Sequence, residues 1–241
     1  MAIYIHLSNL RINFVLSLSL ALGTGACRGE TRPLVARVWP AMGTMMSAAG
    51  WGADSTRVAR ALAAAHDSVE RIDSLVQHHV TVVAIDSVRR DIRRRTGVAL
   101  PPDTIAPGYA LDRAVLALTS DGMLDSALLD VGGQYYWVGP AGRPTHRAVG
   151  VADPDNTLRT LAVVDLQEGS IKTASQRNAP KGTARSVTLL APDGLTASAW
   201  AAALLQVGCD RALQLGRDLK VVCADSSGVR WTTGVQLTRE P

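Results

Sequence analysis

The chain has 241 residues, of which 47% are hydrophobic and 19% charged, enough apolar material for one core or two closely joined subdomains. Its 25 Lys and Arg against 21 Asp and Glu leave a formal charge of +4, an excess too small to argue for nucleic acid. No helical repeat or low-complexity tract is present.

Residues 1–26 read as a secretory signal. Arg11 is the one cation before Cys27 and no acid precedes it; an apolar run spans Phe14 to Leu22, and small residues follow. The run is too short to cross a bilayer, which needs about 20 apolar residues. Cys27 after "GTGA" resembles a lipoprotein processing site, with Thr24 where a larger aliphatic residue is usual. The expectation is a lipid anchor at Cys27 and a place in the cell envelope, on the periplasmic side of a bacterial membrane. An ordinary cleaved signal is the alternative. One acyl chain anchors only marginally, so stable attachment would need several.

The next elements follow in order. "RPLVARVWPAMGTMMSAAGWG" reads as two short strands around Pro40 and Gly43. A long helix follows from Asp54 to His79, with Asp54 or Ser55 as N-cap. Its apolar stripe is Val58, Leu62, Ala65, Val69, Ile72 and Val76. His78 and His79, adjacent near its end, suit capping or the surface better than metal ligation. A second helix ends at Gly97 and carries Arg89, Arg90, Arg93 and Arg94 on one side, expected to be a solvated face. "PPDTIAPGYALDRAVLALTSDG" reads as a loop entering a helix, with Pro107 in the first turn.

Strands are expected at "SALLDV", "YYWVG", "HRAVGVADP", "LAVVDL", "SIKTAS" and "RSVTLLAP". A helix in "LTASAWAAALLQVG", a short helix near "DRALQLGRD" and strands at "KVVCA" and "VRWTTG" complete the chain. Alternation places Tyr136 on the face opposite Tyr135 and Trp137. Helices, then a run of strands, then a helix argue for an α+β fold. Cys209 and Cys223 could pair in an oxidising envelope or stand as two buried thiols. No G-x-S-x-G elbow, P-loop, H-E-x-x-H or S-x-x-K is present.

Six pieces, in order, resemble the ApbE family of bacterial FAD:protein FMN transferases. They are "AMGTMM" (Ala41–Met46), "IAPGYALDRA" (Ile105–Ala114), "ALLDVGGQ" (Ala127–Gln134), "VGVADP" (Val149–Pro154), "IKTAS" (Ile171–Ser175) and "SVTLLAPDGLTASAWAAALLQVG" (Ser186–Gly208). The resemblance implies an α+β domain over residues 35–236. It would hold mixed or antiparallel sheets flanked by helices, in one compact domain of two joined subdomains.

It also implies an enzyme that binds FAD and Mg²⁺, transfers FMN to a Ser or Thr hydroxyl of a partner protein, and releases AMP. By this resemblance Met42, Gly43, Thr44, Asp112, Gly132, Gly133, Gln134, Thr173 and Ser175 would contact FAD. Ala106 would offer its backbone carbonyl to the metal, and Ser198 stands at a ligand position. Displacement at a pyrophosphate needs backbone donors, a cation and a positioned hydroxyl or water. Strand-end glycines let backbone approach such a ligand.

The chain departs from the family pattern where charge is needed. Pro107 replaces a lysine and Pro101 an acid, with Asp103 nearby. Ser198 and Ala202 replace the Asp and Thr that hold magnesium, although a hard cation prefers carboxylate oxygen. The interval between Ser175 and Ser186 has neither the family's histidine nor its acid. The connection from the long helix to Pro101 is also shorter than usual. Arg90, Arg93 or Lys172 could supply the missing cation, and Asp103 or Asp193 the missing ligand. The alternative expectation is therefore a catalytically degenerate envelope lipoprotein that binds flavin or a protein partner.

Overall fold

The structure, a computed structural model, describes residues 33–120, 124–140, 145–180 and 183–238. The expected signal segment, residues 1–26, and the expected anchor Cys27 lie outside the described residues. The fold is α+β. Its main sheet has eight strands in the order β1 (Leu34–Ala41), β2 (Thr44–Trp51), β3 (Ser126–Val131), β4 (Gln134–Val138), β7 (Gly169–Ser175), β8 (Ser186–Ala191), β9 (Lys220–Asp225) and β10 (Gly228–Trp231), and a second has three in the order β11 (Leu237–Thr238), β6 (Thr160–Leu166) and β5 (Arg147–Ala152). The pairings among the described residues are antiparallel.

The main sheet opens with a hairpin, β1 (Leu34–Ala41) and β2 (Thr44–Trp51). Helix α1 (Ser55–Gln77) follows, capped by Asp54, whose carboxylate accepts the Thr56 N–H at 2.9 Å and the Arg57 N–H at 3.1 Å. The expected stripe is its buried face: Val58, Leu62, Ala65, Val69 and Ile72 pack on the sheet. Helix α2 (Val83–Thr96) stops at Gly97, whose φ of 80° is the left-handed conformation glycine tolerates. Only Ile85 and Ile92 of α2 are buried; Arg90, Arg93 and Arg94 are exposed, as the sequence suggested, whereas Arg89 is half-buried and donates to the Leu100 carbonyl at 2.6 Å and to Asp86 at 2.8 Å.

Helix α3 (Pro102–Thr119) starts earlier than expected. Extended Pro101 precedes it and Pro102 opens it, where a missing N–H costs little. Pro107 therefore sits inside the helix, not in its first turn, and cannot donate to the Asp103 carbonyl. Ile105, Ala106, Gly108, Ala110 and Leu111 are all buried, so tertiary packing holds the turn that proline weakens.

Strands β3 (Ser126–Val131) and β4 (Gln134–Val138) form a second hairpin beside the first. β5 (Arg147–Ala152) and β6 (Thr160–Leu166) leave for the small sheet, and β7 (Gly169–Ser175) returns to pair with β4. β8 (Ser186–Ala191), α4 (Gly194–Val207), α5 (Cys209–Leu215), β9 (Lys220–Asp225) and β10 (Gly228–Trp231) complete the main layer. The two-residue β11 (Leu237–Thr238), not anticipated from sequence, edges the small sheet. Cys209 and Cys223 form a disulfide tying α5 to β9, which settles the alternative left open by sequence.

The main sheet is covered on both faces. Helices pack on one: Leu129 and Val131 lie in one core with α1 and α3, while Val187 and Leu189 lie under α4, with α2 packed on α4 and α3. The small sheet packs on the other, against Tyr135, Trp137, Ile171 and Leu190. Tyr136 points to the helix side, as alternation required. No helix among the described residues is long and apolar enough to cross a membrane.

Candidate functional site

Two neighbouring hairpin turns form the end of the sheet where sequence placed the flavin. Met42 and Gly43 join β1 to β2 with φ of 52° and 69°; Gly132 and Gly133 join β3 to β4 with φ of 57° and 75°. Positive φ at both central residues is the hairpin geometry that suits strand twist and favours glycine. Met42 pays a strain that glycine would not, and its N–H is held by the Asp73 carboxylate of α1 at 2.9 Å. The turns touch: the Gly132 N–H donates to the Met45 carbonyl at 3.3 Å, and a Cβ at Gly132 would lie 3.1 Å from the Thr44 methyl.

The double glycine is thus required by hairpin shape and by Thr44. It does not present a cradle of free donors, because the Gly133 N–H is also taken, by Asp130 at 2.8 Å. Lys172 Nζ reaches the Gly132 carbonyl at 3.4 Å. Burial pushes the Asp130 carboxyl up, opposed by the Gly133 N–H and the Lys172 charge. Burial pushes the Lys172 ammonium down, opposed by Asp130.

The other expected contacts divide between the two faces of the sheet. Thr173 shares the parity of Ile171 on the small-sheet side, where its hydroxyl meets that of Thr188 at 2.7 Å. Ser175 follows on the same side, opposite Ser186. Gln134 lies on the helix side and is 0% exposed. Its amide nitrogen donates to the Gly194 carbonyl at 2.7 Å and to Ser170 Oγ at 3.1 Å, and its oxygen accepts from Ser198 Oγ at 2.6 Å. Ser170 in turn donates to the Tyr135 carbonyl at 2.9 Å. This closed network sutures β4, β7 and α4, and leaves Gln134 facing protein on all sides.

Asp112 serves the same junction. Its two oxygens accept the Gly194 and Leu195 N–H groups, the latter at 3.0 Å, so it caps the start of α4 from α3. Asp193 adds a bond from the Thr196 N–H at 2.7 Å. Burial raises Asp112 from an ordinary 3.8 to about 6, against the two N–H bonds, which lower it. The folded state therefore holds a proton that the unfolded chain releases between about pH 4 and 6, and stability from this group falls as pH rises through that window. Relative to Asp112→Asn, the wild type is expected to lose stability from about pH 4 to 7 in urea titrations. A difference independent of pH would contradict the assignment.

Helices α3 and α4 cross at two glycines. A Cβ on Gly108 would lie 2.2 Å from the Gly194 carbonyl oxygen and 2.9 Å from Ser198 Cβ. The expected metal position falls in this junction, and magnesium does not fit it. Ser198 is 2% exposed with its hydroxyl committed to Gln134, Ala106 is 0% exposed, and Ala202 offers a methyl group. A hard divalent ion takes carboxylates, carbonyls and water; these side chains supply no anionic oxygen, and the junction's carboxylate, Asp112, has both oxygens engaged by the Gly194 and Leu195 N–H groups. Asp103 sits in the first turn of α3 and Asp193 caps α4. Ligand atoms of His66, Asp67 and Glu70 lie within 4.8 Å of one another, but on α1, where His66 stacks on Trp39.

Arg90 and Arg93 do not join the glycine turn; with Asp86, Arg89 and Leu100 they line a groove on α2. A cavity of about 440 Å³ lies at the opposite end of the strands, bordered by Gly139, Glu168, Ala191 and Lys220. Sequence reading singled out neither Asp130 nor Ser170. A signal for Asp130 existed: an acid three residues before a glycine is placed to accept its N–H in a tight turn.

No curated protein matches the chain. Among the solved structures that resemble its fold are three flavin transferase-family proteins. The flavin transferase ApbE from Vibrio cholerae is 15% identical with a TM-score of 0.61, covering 84% of this chain and 98% of that one. Apo flavinyl transferase ApbE from Pseudomonas stutzeri is 14% identical with a TM-score of 0.64, covering 84% and 95%. The ApbE protein from Thermotoga maritima is 16% identical with a TM-score of 0.61, covering 83% and 97%. At such identities the likeness speaks for the fold. The sequence pattern of the ApbE family, however, matches residues 37–182, more than half of the chain, and the six motifs in their order fall on the sheet and helices just described: the chain belongs to the ApbE family.

Proposed function

We propose that this chain is a flavin-nucleotide-binding member of the transferase family that has lost magnesium-dependent FMN transfer. The observation that carries the reading is the buried bond from Ser198 to Gln134. It closes the position where a metal ligand is expected, while the paired hairpin turns keep their form. The ligand is FAD, approaching Met42, Gly43, Thr44, Gly132 and Gly133 from the sheet end. The setting is the cell envelope, with the chain lipid-anchored through Cys27 and able to meet a protein partner there.

A second reading is favoured by Lys172, a cation at the turn. On it the chain transfers FMN from FAD to a Ser or Thr hydroxyl of an acceptor protein and releases AMP. Preorganised positive charge near a phosphoryl group is what such a displacement demands. The first reading is tested by titrating FAD with the full chain in EDTA and following flavin fluorescence polarisation. A saturable rise is expected; a flat response in large protein excess overturns it.

A further inference from the structure

The end of the sheet at the glycine turn carries its own cation, Lys172. Lys172 of β7 stands directly across from Gln134 of β4, so both side chains leave the sheet on the helix-covered face. Its partner on the other side, Leu189, lies wholly buried in the helix-side core. Lys172 is therefore a lysine set into an apolar strand position, and its tip ends at the Gly132 carbonyl. An ammonium has three donors. The hydrogen bond found for it here is the one to Gly132, with the Asp130 charge close by.

The surroundings say what those donors are for. The Gly132 and Gly133 N–H groups are both taken, so the turn offers a phosphate no backbone donor of its own. Ser198 and Ala202 offer a metal no charge. A flavin dinucleotide nevertheless brings a doubly charged pyrophosphate, which binds poorly without a positive partner. We infer that Lys172 is the phosphate-anchoring residue of this chain and stands in for a divalent ion, so that FAD binds without metal. Asp130 holds the turn by accepting the Gly133 N–H at 2.8 Å.

This rests on the flavin reading, and the experiment separates the two. Calorimetric titrations with FAD and with riboflavin, which lacks phosphate, are run on the full wild-type chain and on Lys172→Met and Lys172→Arg. Each is run in EDTA and in Mg²⁺. Wild-type FAD affinity is expected to be the same in both buffers. Lys172→Met should weaken FAD by roughly tenfold to a hundredfold, the worth of a charged hydrogen bond, and leave riboflavin within about twofold. Lys172→Arg should restore most of the loss, which also answers for any fault in folding. Wild-type binding that requires Mg²⁺, a methionine variant that binds FAD as wild type does, or equal loss of riboflavin overturns the role of Lys172. A wild type that binds neither flavin overturns the flavin reading itself.

Discussion

Gly108→Ala is expected to destabilise the protein by about 3 kcal/mol or more, at the top of the range for overpacking a core. The added methyl would lie 2.2 Å from the Gly194 carbonyl oxygen, and Gly194 would in turn meet the Gly108 carbonyl at a comparable separation. Backbone meets backbone there, so no rotamer change relieves the clash, and α3 and α4 must part. Parting them strains the Asp112 cap and the Gln134 network at once. Urea unfolding measures the loss as a lower midpoint at unchanged slope. A cost below about 1 kcal/mol would show that the helices do not cross this closely.

Gln134→Leu is expected to cost about 2–4 kcal/mol, although leucine matches glutamine in size. Ser198 Oγ loses its acceptor, and the Gly194 carbonyl and Ser170 lose a donor, all in the interior. Each buried polar group left without a partner costs about 1–3 kcal/mol. Adding Ser198→Ala should recover part of that loss, because removing both partners of a buried hydrogen bond is cheaper than removing one. Additive costs in the double-mutant cycle would contradict the bond. The cycle also bears on function: a serine committed to glutamine in a sealed junction is unavailable to a metal.

Local chemistry made much of the fold legible. Asp54 caps α1 and the stripe from Val58 to Ile72 is its buried face, because N-caps and helical periodicity act over a few residues. Gly97 announced itself as the end of α2 for the same reason. Pro107 misled because Pro102 competed for the start of α3, and burial of Ile105 and Ala106 decided between them. Neither contact is visible within the motif.

The site was less legible, for a reason of range. Asp112 reads as a ligand contact in its own motif, yet its partners are Gly194 and Leu195, brought beside it by the α3–α4 crossing. Gln134 reads as the end of a glycine turn, yet it binds Ser198 across the sheet–helix junction. Thr173 and Ser175 share a motif with Lys172, but strand alternation turns the two hydroxyls to the face away from the lysine. That alternation could have been read in "IKTAS": Ile171, Thr173 and Ser175 on one side leave Lys172 on the other, beside Gln134 and the core.

On the proposed reading, FAD binds to this chain and is not cleaved by magnesium-dependent transfer. Its most direct measurement is AMP release from FAD by the full chain, followed chromatographically in Mg²⁺ and in EDTA, on samples shown to bind the flavin. Bound FAD is expected to be recovered intact, with AMP at the no-protein background in both buffers. Brisk AMP release that EDTA abolishes would contradict this reading, and would mean that magnesium finds ligands other than Ser198 and Ala202.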